Sequence, residues 1–225
     1  SNYETGISNY KVLCNYLDID FNGCIRASLN HTSDIKIIDS NNNLPFFEND
    51  ERRHDGIITN INGINLVTNS ADCITLLLYD KEKGVIANIH SGWKGTYNRI
   101  LENALRSMHE YYGCSYKDIM IFICPSIREC HFEVDSDVFE IFDKRFKKYP
   151  NIIRTRGNKW LIDTVLINKY MSLDLGVRED NIYDSEICTV CNKDEINSFR
   201  AHKANFVVNA AIIGMKGKVK CLKKN

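Results

Sequence analysis

Two runs of seven residues, 73–79 (CITLLLY) and 84–90 (GVIANIH), alternate their side chains on either side of a polar stretch, 80–83 (DKEK). Period-two patterning of this kind predicts a β-hairpin. One face would carry Ile74, Leu76, Leu78, Val85, Ala87 and Ile89, all apolar. The other would carry Cys73, Thr75, Leu77, Tyr79, Ile86, Asn88 and His90, turning polar towards one end. If the turn closes symmetrically on Asp80 and Lys83, Tyr79 faces Gly84 and Cys73 faces His90. Directly opposed residues have Cβ atoms about 4.5 to 5.5 Å apart, a separation that suits two ligands of one metal.

Further strands are expected at 35–39, 55–60, 64–69 and 119–125, with a turn-rich stretch between the first two. From Thr96 the period changes: Ile100, Leu101, Ala104, Leu105, Met108 and Tyr112 recur at helical spacing, and Gly113 follows as a C-cap. Helices are also predicted over 136–149, 161–176 and 206–216. With no linker-like or repetitive stretch, the expectation is one domain over residues 1–225, of α/β (α+β) class, with mixed sheets flanked by helices.

Composition changes this picture only by exclusion. Lys plus Arg and Asp plus Glu both number 29, so no net charge argues for nucleic acid as a partner. The basic tail 216–225 reads as a solvated terminus. No apolar run approaches the roughly 20 residues of a membrane span. Ser1–Asn2 reads as the scar of a removed tag. The cysteines are odd in number, nine, and several sit in apolar runs, which points to reduced thiols and a cytoplasmic protein. Two ligands do not make a zinc site; a third has to come from another histidine or a carboxylate. The same Cys73–His90 pair also suits the nucleophile and base of a hydrolase. Cys188 and Cys191 form a CxxC, either a redox pair or half of a zinc knuckle. No second CxxC exists, and structural or incidental thiols are the favoured reading.

The stretch NSADCITLLLYD…GVIANIHSGWKGT resembles the ADC…H-x-GW signature of the YfiH-like family, also called laccase-domain or polyphenol-oxidoreductase proteins. NHTSDI, DGIITN, CPSIRECHFEV, LGVREDNIYDSEICT and NSFRAHK resemble further segments of that family in the same order. The resemblance implies an α/β fold with mixed sheets and a zinc site whose ligands are His31, Cys73 and His90. It also implies phosphorolysis of purine nucleosides such as adenosine, inosine and methylthioadenosine, together with deamination of adenosine. The partners would be purine nucleosides and phosphate. Zinc-activated water suits attack at C6 of adenine. Arg200 is the candidate for holding phosphate, through a guanidinium that binds it in bidentate fashion. Trp93 is a candidate to stack on the purine, or else a packing anchor, and Glu133, beside His131, is a candidate for the pocket wall.

The older family label implies copper and the oxidation of phenols. Copper accepts the same ligands, but a multicopper oxidase needs several His-rich sites, and the six histidines include no His-x-His pair. A non-catalytic nucleoside- or metal-binding member is another reading. It is motivated by Ala201 in place of the second Arg of the SyRR segment; Leu29 for Gln, Cys124 for Gly and Lys94 for Arg in GWRG are further departures from the family pattern.

Overall fold

The computed structural model describes residues 3–39 and 53–216. Most of the turn-rich stretch after residue 39 and nearly all of the basic tail lie outside them. The chain is a mixed α/β fold. In order it runs α1 (Tyr3–Leu17), β1 (Cys24–Arg26), β2 (Ile35–Ile38), β3 (Gly56–Thr59), β4 (Asn65–Ser70), β5 (Ile74–Asp80), β6 (Val85–Ser91), α2 (Trp93–Tyr97) and α3 (Ile100–Tyr112). It continues through β7 (Ile119–Ile123), β8 (Glu133–Val134), α4 (Ser136–Phe146), β9 (Ile153–Arg156), β10 (Lys159–Ile162), α5 (Thr164–Asp174), β11 (Ile182–Asp184), α6 (Phe199–His202) and β12 (Asn209–Gly214). Among the described residues no helix is long and apolar enough to cross a membrane.

The central sheet has six strands in the order β11-β7-β5-β6-β3-β2. Its outer pairs, β11 with β7 and β2 with β3, are parallel, and the inner pairs are antiparallel. The hairpin at its centre has the two faces expected of it. Ile74, Leu76, Leu78, Val85, Ala87 and Ile89 are buried against Ile100, Leu101, Ala104, Leu105 and Met108 of α3. On the opposite face a three-stranded sheet, β1-β4-β12, packs without hydrogen-bonding to the large one through its strands, and Ile86 joins Ile25, Ile57 and Leu66 in a second core. Asn88 is polar in this layer because it is used: its amide donates to the carbonyls of Leu66 and Ala211 at 2.9 Å and accepts from Thr68 Oγ1 at 2.7 Å. A third core gathers Phe142, Phe146 and Tyr149 under α4, α5 and the small antiparallel sheet β8-β10-β9.

Three expectations need correction. The hairpin register is displaced by two: Asp80 pairs with Val85 and Thr75, not Cys73, faces His90. Gly84 is the cause. It adopts φ +60°, so it belongs to the turn, and Asp80 Oδ1 accepts from Lys83 N at 3.0 Å to close that turn. A two-residue shift preserves both faces, so the alternation holds despite the change of register. Second, 206–216 holds a strand, β12, antiparallel to β4. Ile212 and Ile213 point to different cores, and β4 offers an open edge that a helix would leave unpaired. Third, two helices start later than expected. Arg99 takes φ +61° and breaks the run before Ile100, while Asp163 caps α5 by accepting from Leu166 N at 2.8 Å.

Asp184, at the end of β11, fastens the loop after β7. It accepts from Arg128 through both oxygens, at 3.0 and 2.7 Å, and pairs with Lys169 at 2.7 Å. Burial pushes its pKa up, but the bonds from Arg128 and Lys169 outweigh this and hold it at about 2. A depressed carboxylate stabilises the fold above its unfolded pKa of about 3.9 and loses that contribution as pH falls through the folded value. Asp184→Asn should therefore lower the unfolding free energy by about 2 kcal/mol at pH 7. In urea titrations followed by circular dichroism, the gap between the two proteins should close as pH falls from about 4 to about 2.

Candidate active site

His90 ends the hairpin on a buried stretch of β6, and its Nδ1–H donates to Asp55 Oδ1 at 2.8 Å. That leaves Nε2 for the neighbouring space. His31 lies in the loop between β1 and β2 with φ +57°. A non-glycine residue there needs a restraint, and Asp55 provides one: its carboxylate accepts the backbone N–H groups of Asn30, His31 and Thr32 at 3.1, 3.0 and 2.7 Å, and the Thr32 hydroxyl at 2.9 Å. Cys73 follows the turn out of β4, after Asp72 at φ +88°. Its Sγ is 3.9 Å from His31 Nε2.

The donor atoms of His31, Cys73 and His90 all lie within 4.8 Å of one another. Cys73 does not sit across from His90 but comes diagonally from beyond the strand. Continuing the ladder register, the position facing Cys73 is Gly92. A Cβ there would stand 3.0 Å from His31 Cδ2 and 3.1 Å from Cys73 Sγ, so glycine leaves the space in which the three side chains meet.

The charges of the three groups are coupled. Burial pushes the Cys73 thiol up, but hydrogen bonds from His31 and His90 outweigh it and bring it down to about 7. Burial would lower His90, yet the bond to Asp55, helped by Cys73, raises it to about 9. Burial likewise opposes the charge on Asp55, and the bonds from His90 and Thr32 hold it well below the usual carboxylate range. The arrangement therefore favours a thiolate with positive charge beside it, which a bound divalent cation also satisfies.

His90 is buried beside His31 and Cys73, which line a cavity of about 460 Å³. Trp93, Glu133 and Arg200 line it too. Trp93 also packs on Phe142, with centroids 6.5 Å apart, so it is at once a core residue and a wall residue. Glu133 pairs with Arg156 at 3.8 Å. The Arg200 guanidinium donates to the carbonyls of His131, at 2.9 Å, and Glu133, at 3.4 Å, and its backbone N–H donates to Asp72 Oδ2 at 2.6 Å. Reading the sequence had not singled out Asp55, Asp72 or Gly92. DGIITN had marked the segment containing Asp55, but the partners of that carboxylate are backbone groups more than twenty residues away.

The family described as multi-copper polyphenol oxidoreductase laccase matches residues 2–216. The chain belongs to this family. The laccase-family chain is 36% identical over 148 residues to a purine nucleoside phosphorylase of Bacteroides thetaiotaomicron, a match covering 65% of this chain and 55% of that protein. It is 28% identical over 189 residues to adenosine deaminase RL5 from an unknown prokaryotic organism, covering 82% and 72%. Its fold is that of the Bacillus licheniformis protein YfiH, with a TM-score of 0.84 at 23% identity over 93% of this chain and 80% of that one.

Asp55→Asn keeps the shape of the carboxylate but, whichever way the amide turns, points its N–H₂ at a backbone N–H that can only donate. The expected loss of unfolding free energy is roughly 3 kcal/mol, read from urea denaturation at neutral pH. A change under about 0.5 kcal/mol would show that the His31 loop is held by other means.

Proposed function

We propose that this chain is a zinc-dependent purine nucleoside enzyme, cleaving adenosine, inosine or methylthioadenosine with phosphate and deaminating adenosine. The observation that carries this reading is the meeting of one thiol and two imidazoles at the end of a cavity that also holds Arg200. The printed names of the relatives, a purine nucleoside phosphorylase and an adenosine deaminase, support the substrate class.

The donor set fits zinc. Three protein ligands of N and S type with a fourth position open is the pattern of a catalytic site. His90 has the outer-shell carboxylate that metal-binding histidines generally use, since Asp55 fixes its tautomer and orientation. Bound zinc would supply a Lewis acid at the His31–Cys73–His90 end of the cavity. The remaining work falls to the chain itself. Arg200, anchored on two carbonyls, offers cationic N–H groups to an anion such as phosphate. Trp93 offers an aromatic surface to a purine, and Glu133 a carboxylate for ribose hydroxyls or a proton.

Copper would accept the same three ligands. One three-ligand centre does not make the several clustered copper sites that phenol oxidation by a multicopper enzyme needs, so zinc is the reading preferred here. A specific observation favours one rival: Asp55, His90 and Cys73 form a relay of carboxylate, imidazole and thiol that would also serve a metal-free cysteine hydrolase.

The test is incubation of purified protein with adenosine, with and without phosphate, and chromatography for adenine, inosine and hypoxanthine, alongside metal analysis. Phosphate-dependent adenine, or inosine formed without phosphate, is expected, falling at least about 100-fold in Cys73→Ala. Product no greater than that of the variant would make the chain a binding module. Full activity in metal-free protein would favour the hydrolase relay.

A further inference from the structure

A second group of soft ligands lies away from the His31–Cys73–His90 set and takes no part in the function proposed above. Cys130 and His131 are adjacent in the turn before β8, and Cys188 and Cys191 are the CxxC after β11. Their donor atoms all fall within 4.8 Å of one another. Cys130 Sγ and Cys191 Sγ are 3.8 Å apart. His131 Nδ1 stands 3.2 Å from Cys130 Sγ, 3.6 Å from Cys188 Sγ and 3.5 Å from Cys191 Sγ.

These separations match the edges of a coordination tetrahedron. Zn–S bonds of about 2.3 Å and Zn–N bonds of about 2.0 to 2.1 Å put S–S edges near about 3.8 Å and S–N edges near about 3.5 Å. We propose that Cys130, His131, Cys188 and Cys191 hold a structural zinc ion, distinct from the ion proposed for the cavity.

The donor set decides the role. Four protein ligands of the Cys₃His type close a tetrahedral zinc site and leave no position for substrate, whereas three ligands leave one open. The half-knuckle lacks a second CxxC in the sequence because its other half is a Cys-His dipeptide 57 residues earlier, which no local motif reveals. Cys188 is buried while Cys130 and Cys191 are exposed, so an ion can enter from solvent.

The ion would add a staple beyond the Arg128–Asp184 pair between two loops that also meet through backbone bonds. Ser126 N donates to Ile187 O at 3.2 Å and Thr189 N to Ser126 O at 3.1 Å. Both loops reach the cavity: the His131 carbonyl accepts from the Arg200 guanidinium, and Thr189 Oγ1 donates to Asp72 Oδ1 at 2.6 Å. Zinc at this point would fix the anchor of Arg200 without touching substrate.

The test strips the full chain of metal, reloads it with zinc alone and counts zinc per chain by mass spectrometry. Wild type, Cys191→Ser and Cys73→Ala are compared. Loss of one equivalent in Cys191→Ser relative to wild type is expected whether or not the cavity binds metal. Loss in Cys73→Ala reports on the cavity alone, so the two readings fail separately. Equal zinc in wild type and Cys191→Ser overturns the proposal. Should that variant not fold, alkylation of wild type decides: zinc should protect Cys130 and Cys191, and a chelator should expose them. Equal labelling with and without zinc, or a Cys130–Cys191 disulfide in freshly reduced and reloaded protein, overturns it.

Discussion

The carboxylate of Asp55 is the constraint on which the candidate site depends. It is fully buried and it accepts from five donors: the imidazole of His90, three consecutive backbone N–H groups and the Thr32 hydroxyl. A buried charge is costly unless bonded, and here nearly every lone pair has a partner. The same atoms do two jobs. They hold the loop that gives His31 its left-handed backbone, and they set the His90 ring so that Nε2 faces inward. Both histidines are thus held by one side chain.

The central sheet was legible for a simple reason. Side chains alternate with period two, and the apolar face of residues 74–89 has no polar interruption, so the faces follow from the sequence whatever the exact register. The register itself was not legible, because it turns on whether Gly84 closes the turn or opens the strand, and glycine accepts either. The C-terminal strand was misread for a different reason: residues 206–216 are short and apolar, and only the free edge of β4 decides between helix and strand.

Within the site, His31, Cys73 and His90 could be named by resemblance to a family, yet their supports could not. Asp55 acts on backbone groups, which carry no sequence signature. Gly92 matters through a side chain it does not have. The Cys130–His131 pair meets Cys188 and Cys191 through the parallel bridge of Ser126 with Cys188 and the Arg128–Asp184 pair, contacts between segments far apart in the chain. In each case the information lies in long-range packing, and single-sequence reasoning reaches only what is local or periodic.

Asp72 is the counterpart of Asp55 beside the thiol. Its two oxygens take the Thr189 hydroxyl and the Arg200 backbone N–H, each at 2.6 Å, and its own carbonyl accepts from Ile127 N at 2.8 Å. It immediately precedes Cys73, so any movement of the Arg200 wall is transmitted to the thiol within one residue. The two carboxylates thus divide the scaffold between them: Asp55 fixes the His90 imidazole and the His31 backbone to the central sheet, and Asp72 fixes the segment before the thiol to the loops that carry Arg200. Both are committed to bonds within the protein, while Cys73, His31, Arg200 and Glu133 line the cavity. Arg200 is held without help from the side chain at 201, where this chain has Ala201. The contacts fixing Arg200 run through its own backbone and guanidinium, and none of them runs through residue 201.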